Sequence, residues 1–299
     1  MSDTARSYRS AFAPGLFANQ VALVTGGGSG IGRCIAHELS ALGAQVAIVG
    51  RKVEKLEAVQ REIAEAGGTC HIATCDIREE AAVAAVVTNV LERFGKIDLL
   101  VNNAGGQFPS PLASISAKGW DAVVRNNLTG GFLMARECVT QWMGDHADEA
   151  AGGSGAAIVN IIADMWNGMP GMGHSGAARA GMLNFTETAA LEWAPLRVNA
   201  VAPGWIASSG MDNYPPQMKT HIQNLHKNLP AFRLGTESEV SAAVVFLLSP
   251  AAAFISGSCL RVDGAAPNAK RVWPTANGGA ANTAFNGFHL ASMPKVLQQ

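Results

Sequence analysis

Tyrosine is scarce: Tyr8 and Tyr214 are the only two in 299 residues. Any chemistry that needs a phenol must draw on one of them. Charge is scarce too. Only 15% of residues are Asp, Glu, Lys or Arg, and the formal net charge is -1. That balance excludes an extended disordered chain and gives no electrostatic case for nucleic acid or an anionic membrane as partner. The five cysteines (Cys34, Cys70, Cys75, Cys138, Cys259) are scattered, without a C-x-x-C pair. Neither a disulfide framework nor a zinc site is suggested, so reduced, mostly buried thiols and no bound metal are expected. No segment approaches the roughly 18 consecutive apolar residues of a membrane span. The opening "MSDTARSYRSAFAPGLF" lacks the apolar core of a secretory signal, and the closing "VLQQ" is not a peroxisomal address. A cytoplasmic protein is the expectation.

What is abundant is apolar sequence, 48% of the chain, arranged as short runs alternating with helical periodicity. "QVALVTGG" (20–27) reads as a strand, "IGRCIAHELSALG" (31–43) as a helix, "AQVAIVG" (44–50) as a strand and "KVEKLEAVQREIAEAG" (52–67) as a helix. "TCHIATCDI", "KIDLLVNNAG", "AAIVNII", "LRVNAVAPG" and "SCLRVDG" read as further strands, with helices over 117–143, 175–193 and 237–248 among those between them. Alternating strands and helices predict right-handed crossovers and a parallel sheet covered on both faces. The fold class is therefore α/β, a doubly wound Rossmann-type sheet in a single domain over residues 1–265. An irregular stretch, 206–233, is expected to serve as a substrate lid. The tail, 266–299, spaces Trp273, Phe285, Phe288 and Leu290 along it, which predicts docking on this subunit or a neighbour.

"VALVTGGGSGIG" (21–32) supplies the first chemistry. A strand ends, glycines turn the chain and a helix begins. Gly26, Gly30 and Gly32 let the backbone approach a pyrophosphate, and the helix N-terminus at Ser29, Gly30 and Ile31 offers free N–H groups to it. An acidic residue at the end of the second strand would bind ribose hydroxyls and repel a 2′-phosphate. Gly50 stands there instead, followed by Arg51 and Lys52, with Arg33 just past the glycine loop. Guanidinium groups suit a phosphate, so NADP(H) is predicted over NAD(H).

The spacing T-G-x-x-x-G-x-G resembles the short-chain dehydrogenase/reductase family. "NNAG" (102–105), Asn127 in "NNLTG", "RVNAVAPG" (197–204) and "VDGA" (262–265) resemble its later motifs in the correct order. The resemblance implies that Asp76, Asn103, Ala104, Gly105, Pro203, Gly204 and Ile206 join the cofactor site. It also implies Ser, Tyr and Lys on the fifth strand and the next helix. Here the helix "SGAARAGMLNFTETAALEW" puts Ser175 where the family has Tyr and Arg179 where it has Lys.

That departure matters chemically. A phenol titrates near pH 10 and a neighbouring cation brings it lower. A serine hydroxyl is a far weaker acid, and an arginine keeps its proton. Ketone reduction creates an alkoxide that needs a proton promptly. Hydride addition to a C=C bond conjugated with a thioester creates an enolate, which fixed donors can hold. "NNAGGQFPSP", "KGWDAVVRNNLTG", "IVNII" and "HSGAARAG" resemble the trans-2-enoyl-CoA reductases and, more distantly, the 2,4-dienoyl-CoA reductases. The resemblance implies NADPH-dependent reduction of an acyl-CoA. Similar proteins are also assigned to terpenoid alcohols such as citronellol, which leaves a hydrophobic alcohol dehydrogenase, or a weakly catalytic NADP-binding protein, as alternatives.

The catalytic candidates are Asn127, Ser175, Arg179 and Asp164. Asn127 serves the site or makes a structural hydrogen bond. Ser175 donates to substrate or caps its helix. Arg179 binds ribose or makes an ion pair. Asp164 orients water, acts as an acid or caps a loop. His174 reads as an exposed loop residue beside Ser175, and Tyr214 as lid packing or a replacement phenol. Lys219, His221, His226 and Lys227 give the lid a basic face that meets CoA phosphates or solvent. A small-residue face on helix 175–193 and the family likeness point to a homodimer or homotetramer.

Overall fold

The computed structural model describes residues 7–147, 155–268 and 281–298. Seven strands form one parallel sheet, in the order β3-β2-β1-β4-β5-β6-β7. They are β1 (Val21–Thr25), β2 (Gln45–Gly50), β3 (Cys70–Thr74), β4 (Leu99–Asn102), β5 (Ala157–Ile161), β6 (Arg197–Pro203) and β7 (Cys259–Val262). The chain begins at the centre, winds outward to β3, then returns past β1 to build the other half. Pairing of β1 with both β2 and β4 sets the reversal point, with Leu23 beside Ala47 on one side and Leu100 on the other. Ligand sites of doubly wound sheets lie outside the strand ends at such a reversal.

The central strands are buried on both faces, which explains why "VALV" and "AIVNI" show no polar alternation. One core layer packs α1 (Gly30–Ala41), α2 (Val53–Glu65) and α8 (Glu237–Leu248) against one sheet face through Ile35, Leu39, Leu56 and Val244. The other layer uses α3 (Glu80–Phe94), α4 (Ala117–Val124), α5 (Gly130–Cys138) and α6 (Gly173–Glu192), with Val87, Met134 and Ala189 in its core. Arg197, buried at the start of β6, donates to the carbonyls of Leu247, Leu248 and Ala252 and so closes the end of α8.

The stretch expected as one helix over 117–143 is interrupted. Wider π turns replace the α spacing over Arg125–Thr129 and Val139–Met143. The first has an identifiable cause: Asn127 Nδ2 donates to the Val123 carbonyl, taking the acceptor that a main-chain N–H would use. The lid contains a short helix, α7 (Lys219–Asn224), among 3-10 turns. The described part of the tail docks on its own chain. Phe288 is buried against Tyr8 and His37, and its N–H donates to Ser238. Val296 and Leu297 pack on the lid beside Met211 and Ile222. Trp273 lies outside the described residues.

Candidate active site

Beyond the ends of the central strands lies a cleft of about 570 Å³, walled on the far side by Ser208–Tyr214 of the lid. Its floor is the glycine loop. Gly26 has φ +68, and a Cβ at Gly32 would stand 2.4 Å from the Gly26 carbonyl oxygen, so a side chain at either would break the turn. Ser29 occupies the N-cap of α1 without a side-chain hydrogen bond to the helix. The first-turn N–H groups at Gly30 and Ile31 therefore remain available to an anion. Thr25 Oγ1 accepts from the N–H groups of Asn103 and Ala104, tying the loop after β4 to the loop after β1.

Gly26, Ser29, Gly30, Ile31, Arg51, Asp76, Asn103, Ala104, Gly105, Arg179, Pro203, Gly204 and Ile206 all line this cleft. The donor set and glycine cradle fit a nicotinamide dinucleotide. At the adenosine end, Arg51, Lys52 and Lys55 form a cationic lip, and Arg51 has no hydrogen-bond partner among the described residues. The Arg78 guanidinium grips Asp76 and holds its carboxyl down at about 2.

Arg33 requires correction. Expected at the 2′-phosphate, it instead turns away from the cleft. Its guanidinium makes two hydrogen bonds to Glu62, at 2.7 and 2.8 Å, and lies over the Phe288 ring. One residue later in α1 than the loop, it falls on the helix face that α2 and the tail cover. Lys55, which the sequence reading passed over, takes the cleft side from the first turn of α2.

At the other end of the cleft, Ser175 is wholly buried and lies inside the first turn of α6, which starts at Gly173. It is therefore not a cap. Its hydroxyl donates to Gln107 Oε1 at 2.5 Å, and Gln107 Nε2 donates to the Tyr214 hydroxyl at 3.3 Å. Gln107 and Tyr214 line the cleft; Ser175 does not. Asn127, also buried, closes a two-way clamp on one residue: Nδ2 donates to the Gly106 carbonyl at 2.7 Å, and the Gly106 N–H donates to Oδ1 at 3.1 Å. Arg179 donates to the Ile161 carbonyl at 2.6 Å. Burial brings its guanidinium down to about 10, so it stays charged at neutral pH. A Cβ on Gly105 would stand 2.7 Å from both Arg179 Nη2 and Asn127 Oδ1.

His174 is buried rather than exposed, because α6 begins one residue before it; its ring meets Phe108 edge-on at 4.6 Å. Asp164 does not line the cleft. Burial raises its carboxyl first, and the charge of Asp263 adds to the rise. Lys219, His221 and Lys227 point to solvent. Among the described residues, no group of three or more His, Cys, Asp or Glu is placed to hold a metal, and no helix is long and apolar enough to cross a membrane.

A doubly wound parallel sheet with a glycine-loop cleft at its reversal point is the frame of a nicotinamide-dependent oxidoreductase. The chain belongs to the short-chain dehydrogenase/reductase family: the family profile described as enoyl-(acyl carrier protein) reductase matches residues 26–265. Among characterised relatives, a probable 2,4-dienoyl-CoA reductase of Bacillus subtilis is 34% identical over 81% of this chain and 94% of its own. Among solved structures, a citronellol catabolism dehydrogenase of Pseudomonas aeruginosa is 57% identical, with TM-score 0.76, over 87% of this chain and all of that one. The actinorhodin polyketide ketoreductase, solved with NADPH, is 30% identical with TM-score 0.75, over 86% of this chain and all of its own.

Proposed function

We infer that this protein is an NADP(H)-dependent reductase of the C=C bond of a 2-enoyl-CoA. The observation that carries the reading is the commitment of Ser175. Buried and spent on Gln107, it leaves the nicotinamide end of the cleft without the phenol–ammonium pair that carbonyl reduction uses. The cofactor supplies the hydride, which goes to the β-carbon of the substrate. The protein's own task is to hold the negative charge that then collects on the thioester oxygen, a task for fixed donors rather than a strong acid. Water returns the proton to the α-carbon. Arg179, fixed by the Ile161 carbonyl, would hold the nicotinamide ribose. The lip of Arg51, Lys52 and Lys55 supports NADP(H), since these cations favour a 2′-phosphate and the nearby Asp76 carboxylate is gripped by Arg78. Exposed Phe108, next to Gln107 in the chain, and Leu112, further along the same loop, offer apolar surface to an acyl tail. Association as a homodimer or homotetramer in the cytoplasm belongs to the same reading.

A second reading has its own support. The Tyr214 hydroxyl stands on the cleft wall, and the 57% identical neighbour is titled for citronellol catabolism. In that case a hydrophobic alcohol would give its hydride to the nicotinamide cofactor, with its proton relayed through the Tyr214 hydroxyl to water. Deuterium tracing separates the two. With crotonyl-CoA and nicotinamide-deuterated NADPH, the label is expected on the β-carbon of butanoyl-CoA. Label found only on the carbinol carbon of a terpenoid product overturns the first reading.

A further inference from the structure

The match to the family profile ends at residue 265, and the chain continues beyond it to residue 299. The later described part of that extension, 281–298, touches the rest of the molecule at three successive places. Asn282 accepts from Arg233, and Phe285 closes on the capping box of α8: its carbonyl accepts from Thr236 Oγ1 at 2.7 Å and its N–H donates to Glu239 Oε1 at 3.3 Å. Phe288 is then buried beside α1, and the Gly287 carbonyl accepts from the Arg9 N–H. Finally Pro294, itself buried, leads into a 3-10 turn, Lys295–Leu297, that lies against the lid.

The third contact bears on the cleft. The Val296 N–H donates to Asp212 Oδ1 at 3.0 Å. Val296 and Leu297 pack on an apolar cluster that contains Met211, Ile222, Leu225, Trp205 and Tyr214 and is separate from the layers that cover the sheet. Trp205, Met211 and Tyr214 also line the cleft. The same three side chains thus belong to the cleft wall and to the cluster that the chain end completes. The lid has little stability of its own, because 3-10 turns and a six-residue helix are too short to stand alone in water.

We propose that residues 294–298 are a strap that sets the lid for substrate, with Val296 and Leu297 as positioning residues acting through Trp205, Met211 and Tyr214. The part of the substrate it serves is the acyl chain, which rests on the enoyl-thioester reading. The strap touches no reacting atom; it keeps an apolar wall in place. The benefit of such a wall grows with each methylene it shields from water. A long acyl chain therefore depends on the strap more than a short one does. The glycine loop and the Arg51 lip lie on elements that residues 294–298 do not touch, so NADP(H) binding depends on it little.

The test uses the full chain carrying Val296→Asp and Leu297→Asp together, with trans-2-dodecenoyl-CoA and crotonyl-CoA as substrates. The KM for dodecenoyl-CoA is expected to rise about tenfold or more, against about threefold or less for crotonyl-CoA and NADPH, with kcat on crotonyl-CoA nearly unchanged. Amide hydrogen exchange is expected to quicken over 209–228 and to stay as in wild type over β1 and α1. Asp212→Leu removes the acceptor for the Val296 N–H and should shift the same quantities the same way. Asp212→Asn keeps an acceptor and should stay near wild type. Should the double variant fail to fold, the Asp212 pair alone decides. An equal rise in KM for both acyl chains, or lid exchange as slow as in wild type, overturns the proposal. Wild-type protein that leaves both enoyl-CoA substrates unreacted but oxidises citronellol sinks the enoyl reading instead. The KM for citronellol in the same variants then decides on the strap: a rise with quicker lid exchange supports it, and no rise overturns it.

Discussion

The Ser175 hydroxyl and the Gln107 side-chain oxygen lie 2.5 Å apart, joining the first turn of α6 to the loop after β4. The bond turns a residue that looks like a lost catalytic group into part of the site's framework. It also means that helix and loop must be packed together before the cleft has its shape.

The glycine cradle should be intolerant at Gly105 and tolerant next door. Gly105→Ala sets a methyl 2.7 Å from Arg179 Nη2 and Asn127 Oδ1. Turnover is expected to fall at least tenfold. Gly106→Ala meets only Asn126 Nδ2, at 3.2 Å, and should keep most activity. Steady-state kinetics of the two variants, with circular dichroism to verify folding, checks the contrast.

Arg51 should set nucleotide preference. Losing a charged hydrogen bond costs about 1.5–3 kcal/mol, or roughly a 10- to 100-fold change in affinity. Arg51→Ala is expected to weaken NADPH by that factor and leave NADH nearly unchanged. Fluorescence titration of both nucleotides reads the difference. Arg33→Ala, by contrast, should alter stability more than NADPH affinity, since Arg33 is bound to Glu62.

Glu237 gives the protein a pH dependence near neutrality. Burial raises this carboxyl from 4.5 to about 7, with Arg33 opposing the rise. Its Oε1 faces the glycine loop, 3.8 Å from where a Gly30 Cβ would be. Below about pH 4.5 the group is protonated in folded and unfolded chains alike. From there to about pH 7 the unfolded chain ionises while the folded one resists, so stability falls as pH rises; above that the penalty is constant. Glu237→Gln should therefore match wild type at pH 4 and exceed it in denaturant midpoint at pH 8. NADPH affinity of the variant should also be higher at pH 8, because no carboxylate then faces the pyrophosphate site.

One aromatic anchors the described tail beside α1. Phe288 is 2% exposed, between Tyr8 and His37 and beneath Arg33. Phe288→Ala should cost about 3–5 kcal/mol of stability. Chemical denaturation measures it, and a loss below 1 kcal/mol would show that the tail does not depend on this anchor.

The sheet and the turn of the glycine loop were legible in sequence because they rest on local rules. Apolar runs mark buried parallel strands, and glycines mark turns that no other residue fits. Gly26 and Gly32 were readable for that reason. Arg33 was misread because a loop-flanking cation looks the same in sequence whichever helix face it occupies; only its pairing with Glu62 decides. Ser175 could be aligned, but its partner is 68 residues away and nothing local signals the bond. The π turn that seats Asn127 was invisible too, since "RNNLT" has ordinary helical composition. Gln107 had only one signal, its place directly after the "NNAGG" turn.

The central claim is that this cleft reduces a conjugated thioester rather than handling a carbonyl or an alcohol. The most direct measurement follows NADPH loss with a trans-2-enoyl-CoA and with citronellal, and NADP+ reduction with citronellol, under one set of conditions. The account predicts rapid NADPH oxidation with the enoyl-CoA and little with citronellal. Turnover of citronellal and citronellol alone, with the enoyl-CoA untouched, would contradict it.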